Sequence, residues 1–106
     1  MIILEKHVKI NSIYQDKIYL FKSGKNYHWY LFDKDEKLWK FYQEDSSGYP
    51  YGNIHFDHGL WERELLQEIN IYLTYIKRPY FSKEKVYELD SLDELHAVKS
   101  MEELVG

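Results

Sequence analysis

Residues 17–32 have the sequence KIYLFKSGKNYHWYLF, two strand-favouring runs on either side of Ser23-Gly24. Aromatic and β-branched side chains are frequent in both runs, and these residue types favour pleated strands. Ser23-Gly24 has the composition of a two-residue hairpin turn, which would place Leu20 opposite Tyr27. The sequence therefore predicts an antiparallel hairpin here.

A second hairpin and a helix are predicted further along the chain. A turn centred on Lys34-Asp35 would pair Tyr30 with Trp39, because acidic and lysine residues there interrupt the strand-favouring pattern. From residue 60 onward, apolar side chains recur with the period of an amphipathic helix. Its predicted apolar stripe consists of Trp61, Leu65, Ile69, Tyr72 and Ile76. We expect this helix to span about 58–78, with Asp57 as its N-cap.

The whole pattern predicts one α+β domain over residues 1–106. Residues 1–56 are rich in strand signals, and residues 80–106 form a tail with one strand and helical segments. Ser91-x-x-Glu94 and Ser100-x-x-Glu103 resemble helix-capping boxes, which predicts a division of the tail into two short helices. The predicted architecture is an antiparallel β-meander of about four or five strands packed on one amphipathic helix, with a short C-terminal helical segment.

The two predicted hairpins divide the sheet into two apolar faces, because paired residues share a face. The face that holds the aliphatic side chains is expected to contact the central helix. The other face is aromatic, and if the tail leaves it exposed it forms a patch of the kind that marks interaction sites. A second layer, from the tail or a homodimer partner, would instead bury it. The candidate partner-binding residues on this face are Tyr19, Tyr30, Trp39 and Phe41.

The loop at residues 45–52 is a second candidate for partner binding, because it contains a Tyr-Pro-Tyr segment between glycines. Antibody-like binding loops have this composition, in which tyrosine supplies contact area and glycine and serine allow fit. An ordinary surface loop whose tyrosines cover the sheet edge is the alternative. The candidate residues of this loop are Tyr49 and Tyr51.

His55, Asp57 and His58 are the candidate metal ligands, since imidazole and carboxylate groups bind divalent metals. Their spacing matches no metal-binding signature, and a further ligand such as His28 or His7 would have to come from elsewhere. A helix-capping aspartate beside solvated histidines explains the same residues. We therefore predict no metal and no cofactor.

Charge and composition restrict the class of function. Asp and Glu number 18 against 14 Lys and Arg, and the net charge of −4 argues against a reader of duplex DNA. The sequence has no cysteine, phosphate-binding glycine loop or nucleophile elbow, so we predict that the protein is not an enzyme. No apolar run is long enough to cross a membrane, and residues 1–6 lack a signal-peptide pattern, which predicts a cytoplasmic protein.

These features favour a protein-binding module that docks on a larger protein. A small acidic domain with 18% aromatic residues is typical of inhibitors and neutralisers, such as immunity proteins, antitoxins and phage-encoded anti-defence proteins. The alternative is a single-strand nucleic-acid binder that stacks bases on the aromatic sheet face, with Lys17, Lys37 and His28 near phosphates. A carbohydrate ligand would use the same rings. The sequence leaves open whether the chain is a monomer or a homodimer.

Overall fold

The computed structural model describes residues 1–4, 9–24, 26–43, 54–75 and 85–105. Within these residues, six strands form one antiparallel sheet and two helices pack on it, which confirms the predicted α+β class and the C-terminal helix. The strands are β1 (Ile2–Leu4), β2 (Ile18–Ser23), β3 (Asn26–Asp33), β4 (Leu38–Gln43), β5 (Ile54–Leu60) and β6 (Lys85–Leu89). The helices are α1 (Glu62–Tyr75) and α2 (Leu92–Val105).

The strand order in the sheet is β1-β6-β2-β3-β4-β5. Strands β2 to β5 form the predicted meander, whereas β6 returns after α1 and inserts between β1 and β2. The sheet is therefore larger than the expected meander. Local signals identify β6 as a strand, but pairing between segments distant in the sequence has no local signature.

Both hairpin registers differ from the predicted ones by two residues. Leu20 lies opposite Trp29 and not opposite Tyr27, because the first turn comes one residue later than predicted. Gly24 has a φ of 60°, a conformation that glycine adopts without steric penalty. Because side chains alternate with a period of two, a shift of two residues leaves every side chain on its predicted face.

The connection of the second hairpin also lies one residue later than predicted. Tyr30 lies opposite Phe41, and Asp33 lies opposite Leu38, so residues 34–37 form the connection. The Asp33 carboxylate accepts hydrogen bonds from two backbone N–H groups of the connection, at 2.9 and 3.1 Å. Lys37 closes it with a φ of 58°. An aspartate that binds the following backbone stabilises such a turn.

The two helices cover opposite faces of the sheet, in the reverse of the predicted arrangement. Helix α1 packs Leu65, Ile69 and Leu73 into the cluster on the aromatic face. Helix α2 packs Leu95 and Val98 into the cluster on the aliphatic face, over β2 and β6. Both faces are apolar and both helices are amphipathic, so the hydrophobic pattern alone did not specify which helix meets which face.

Two predicted helix boundaries are wrong. Strand β5 continues to Leu60 and α1 begins at Glu62, so no helix starts at Asp57. Gly59 permits this extension, because a Cβ there would come 2.9 Å from the Trp39 carbonyl oxygen on β4. The tail contains one continuous helix, α2, and Ser100 lies inside it.

Candidate functional site

The predicted aromatic patch lies in the protein core. Tyr19 and Trp39 are fully buried, Tyr30 is 8% exposed, and Phe41 is half-buried against the same cluster. Helix α1 covers them with its apolar stripe. These four rings therefore do not form the exposed surface that was predicted, because the amphipathic helix α1 packs on the aromatic face.

The other predicted groups fall outside the described side chains. Tyr49 and Tyr51 lie outside the described residues, as does His7. His55, Asp57 and His58 belong to β5, but their side chains are outside the described part of the structure. Among the residues that are described, no group of three or more histidines and carboxylates could hold a metal ion.

His28 is part of the core on the α1 side. Its ring stacks on Phe21, with centroids 4.6 Å apart and planes 9° apart, and it also contacts the rings of Tyr30 and Phe41. Burial lowers the pKa of His28 to about 4, so the imidazole is neutral at physiological pH. A neutral, enclosed imidazole provides no charge for a phosphate.

Two aromatic side chains are exposed where α1 begins. Trp61 is 58% exposed and Tyr14 is 53% exposed. The backbone N–H of Tyr14 donates to the buried Tyr19 hydroxyl at 2.9 Å, which fixes the position of Tyr14 above the core. Tyr14 and Glu62, the residue that follows Trp61, line the same shallow depression of about 530 Å³. Tryptophan is usually highly buried, so an exposure above one half is informative.

Trp61 occupies the N-cap position of α1. Its carbonyl oxygen accepts a hydrogen bond from the Leu65 N–H at 2.9 Å, and its own N–H donates to the Glu64 carboxylate at 2.9 Å. These contacts form one half of a capping box. The other half requires a side-chain oxygen at the N-cap, and an indole has no acceptor. A small polar residue would therefore stabilise α1 by about 1 kcal/mol more than Trp61 does.

Carboxylates outnumber basic side chains at the end of the molecule that includes the β3–β4 connection and the first turns of both helices. We call this region the acidic end. Its carboxylates are Asp16, Asp33, Asp35, Glu36, Glu62, Glu64, Asp90, Asp93 and Glu94. Its basic side chains are Lys17, Lys34, Lys37, Lys40 and Arg63. The positive ends of the two helix dipoles stabilise this concentration of acid.

Ion pairs neutralise part of the acidic end. Lys17 binds Asp90, and Lys40 binds Glu36. The hydrogen bond from Lys17 lowers the pKa of Asp90. The N-terminal amine contacts Glu94 at 2.7 Å. Glu62 makes no such pair with a described residue, so the carboxylate that lines the depression with Tyr14 is open to a basic partner.

A polar cluster at the opposite end of α2 is satisfied within the protein. Glu102 accepts hydrogen bonds from Lys85, at 3.0 Å, and from the Tyr87 hydroxyl, and Lys22 lies 3.7 Å away. Burial raises the pKa of Glu102, but these hydrogen bonds and the lysine charges outweigh that effect and hold the pKa below its ordinary value. Because the Glu102 carboxylate is paired with groups on β2 and β6, this cluster stabilises the packing of α2.

Comparison of the chain with protein-family models, with curated proteins and with solved structures finds no match. Neither described helix is long and apolar enough to cross a membrane. The acidic end, which the sequence pattern did not identify, is therefore the candidate functional site. The sequence feature that could have indicated this site is Trp61, which lies three residues before Glu64 where a capping box has serine or threonine.

Proposed function

We propose that the protein is a small protein-binding module that docks its acidic end on a basic surface of a larger partner. The observation that carries the proposal is the exposed indole of Trp61 at a helix N-cap. An indole that is 58% exposed at a position that favours serine or aspartate leaves most of its apolar surface in water and supplies no capping oxygen. Tryptophan and tyrosine are the residue types that most often dominate binding energy at protein interfaces.

The surroundings of Trp61 favour a basic partner. Tyr14 supplies a second exposed ring, and Glu62 supplies a carboxylate on the same depression. Rim carboxylates around aromatic anchors accelerate association with a positively charged surface and disfavour acidic competitors. A basic surface of this kind is typical of proteins that bind nucleic acid.

Inhibition or neutralisation of the partner is the action proposed for this surface. A compact domain that covers the basic surface of a nucleic-acid-binding protein blocks the approach of the anionic ligand. The acidic end would act by occupancy and needs neither a cofactor nor a catalytic group.

The test is a comparison of Trp61→Ser with a matched control at the far end of α2, Leu104→Ser. Leu104 is 88% exposed, so its replacement removes a similar exposed apolar group away from the acidic end. Partners captured by the immobilised wild-type protein are purified, and their dissociation constants for the three proteins are measured. We expect Trp61→Ser to weaken binding at least about 30-fold and Leu104→Ser to leave it unchanged. Equal affinity of all three proteins for every captured partner would contradict the proposal.

Single-strand nucleic-acid binding is the competing proposal, and the rings that it invoked are buried beneath α1. Titration of labelled single-stranded oligonucleotides at two salt concentrations separates the two proposals. We expect no salt-sensitive binding at micromolar protein, because the exposed rings lie among carboxylates that repel phosphate.

A further inference from the structure

A groove of about 780 Å³ runs along the side of α1 that faces residues 9–11. Its lining combines basic, amide and apolar side chains. They include Lys9, Asn11, Arg63, Leu66, Gln67 and Ile71. The groove lies on the flank of α1, whereas Tyr14 and Glu62 line a separate depression.

Asn70 fixes the width of the groove. Its side-chain oxygen accepts a hydrogen bond from the Ile10 N–H at 3.0 Å, and its side-chain nitrogen donates to the Ile10 carbonyl at 3.0 Å. The same nitrogen donates to the Leu66 carbonyl at 3.1 Å. One amide therefore ties the segment at residues 9–11 to α1 and holds the two walls at a constant separation.

Polar groups on both walls are available to a ligand. The side chains of Lys9, Asn11, Arg63 and Gln67 make no hydrogen bond or ion pair with any residue in the described part of the chain. Leu66 is half-buried, and Ile71 is 50% exposed on the wall beside them. An apolar wall with convergent polar groups is the general form of a binding groove.

The chemistry of the lining selects the class of ligand. Two basic side chains line the groove, and no carboxylate from the described residues does, although the protein carries a net charge of −4. No described aromatic ring lines it either, which disfavours ligands held by stacking, such as nucleobases. Free amides pair well with the N–H and C=O groups of a peptide backbone.

The length of the groove fits an extended peptide. Its α1 wall runs from Arg63 to Thr74, which corresponds to about 16 Å of helix. An extended chain covers that distance with about five residues. We propose that this groove binds an extended acidic peptide segment of a partner protein, with Arg63 and Lys9 contacting its carboxylates and Asn11 and Gln67 contacting its backbone.

The test uses two fluorescein-labelled hexapeptides, one alternating glutamate with leucine and one alternating lysine with leucine. Fluorescence anisotropy gives their affinities for the wild-type protein, for Arg63→Glu and for the control Lys37→Glu. Lys37 is exposed on the β3–β4 connection and does not line the groove, so its replacement makes the same change in net charge elsewhere. We expect saturable binding of the acidic peptide only, weakened about tenfold or more by Arg63→Glu and little by Lys37→Glu.

Three outcomes would overturn this inference: no saturable binding of the acidic peptide up to about 1 mM, equal binding of the lysine peptide, or equal weakening by both charge reversals. This inference goes beyond the proposed function, and its failure can be distinguished from a failure of the proposed function. Trp61→Ser leaves the lining of the groove intact, so peptide binding should survive in the variant that loses the basic partner.

Discussion

The two helices in the described part of the chain begin with the same backbone contact and differ in the side chain at the N-cap. Helix α2 begins directly after its N-cap residue, Ser91. The Ser91 hydroxyl accepts a hydrogen bond from the Glu94 N–H at 3.2 Å, and the Ser91 carbonyl accepts one from the Leu95 N–H at 3.1 Å. Helix α1 begins directly after Trp61, whose carbonyl accepts a hydrogen bond from the Leu65 N–H in the same way. The Trp61 side chain has no oxygen that could accept the Glu64 N–H. In both helices the leucine is buried.

The N-cap residues of the two helices differ in what they contribute to folding. The start of α2 satisfies its exposed N–H groups with the residue type that favours this position. The start of α1 forgoes that contact and holds an indole in solvent within the acidic end. Positions that break a local rule without an evident compensating contact are expected at functional or strained sites, and this expectation underlies the role proposed for Trp61.

The largest expected effects come from removing the buried leucine of either helix. Leu65→Ala and Leu95→Ala each leave a cavity beneath a helix, because these side chains are 0% and 1% exposed. Each should lower the free energy of unfolding by about 2–5 kcal/mol, measured by urea denaturation. A loss below about 1 kcal/mol for either variant would mean that the corresponding helix is not anchored as described.

The free energy of unfolding should decrease in acid because of His28, which lies on the α1 side of the sheet. Its folded pKa of about 4 lies below the ordinary value of 6.5. Between those values the unfolded chain binds a proton that the folded protein does not. Stability contributed by neutral His28 is therefore complete above pH 6.5 and decreases as the pH falls towards 4, by about 3 kcal/mol at most.

Urea denaturation between pH 7 and pH 4 measures this effect, with His28→Phe as the comparison. Phenylalanine keeps a ring against Phe21 but does not titrate. The variant should lose less stability than the wild-type protein over this range. Parallel curves would show that His28 is accessible to protons in the folded state.

A smaller effect is expected from removing the N-cap hydroxyl of α2. Ser91→Ala deletes the oxygen that accepts the Glu94 N–H. The free energy of unfolding should fall by about 1 kcal/mol. Trp61→Ala, at the equivalent position of α1, removes no capping oxygen and should change stability by less than about 0.5 kcal/mol. Equal losses in the two variants would remove the contrast between the helix starts.

The sequence was sufficient for strands β2 to β6, for the presence of helices in both places and for the faces of the sheet. It was not sufficient for β1, for the helix boundaries, for the helix arrangement or for the site. The predicted faces are correct although both turns were misplaced, because the partners of Leu20 and Tyr30 each shifted by two residues, which keeps a side chain on the same face. The insertion of β6 and the exchange of the two helices depend on contacts between distant segments, which hydrophobic periodicity does not encode. Trp61 was assigned to the apolar stripe of α1, because a pattern of apolar residues does not distinguish a helix interior from its N-cap.

The decisive measurement is the free energy of unfolding of Trp61→Ser, determined by urea denaturation beside the wild-type protein. Serine would complete the capping box with Glu64 and remove an exposed indole, so the variant should be more stable by about 1 kcal/mol. A variant less stable than the wild-type protein would show that the indole contributes to the fold, and Trp61 would no longer mark a binding surface.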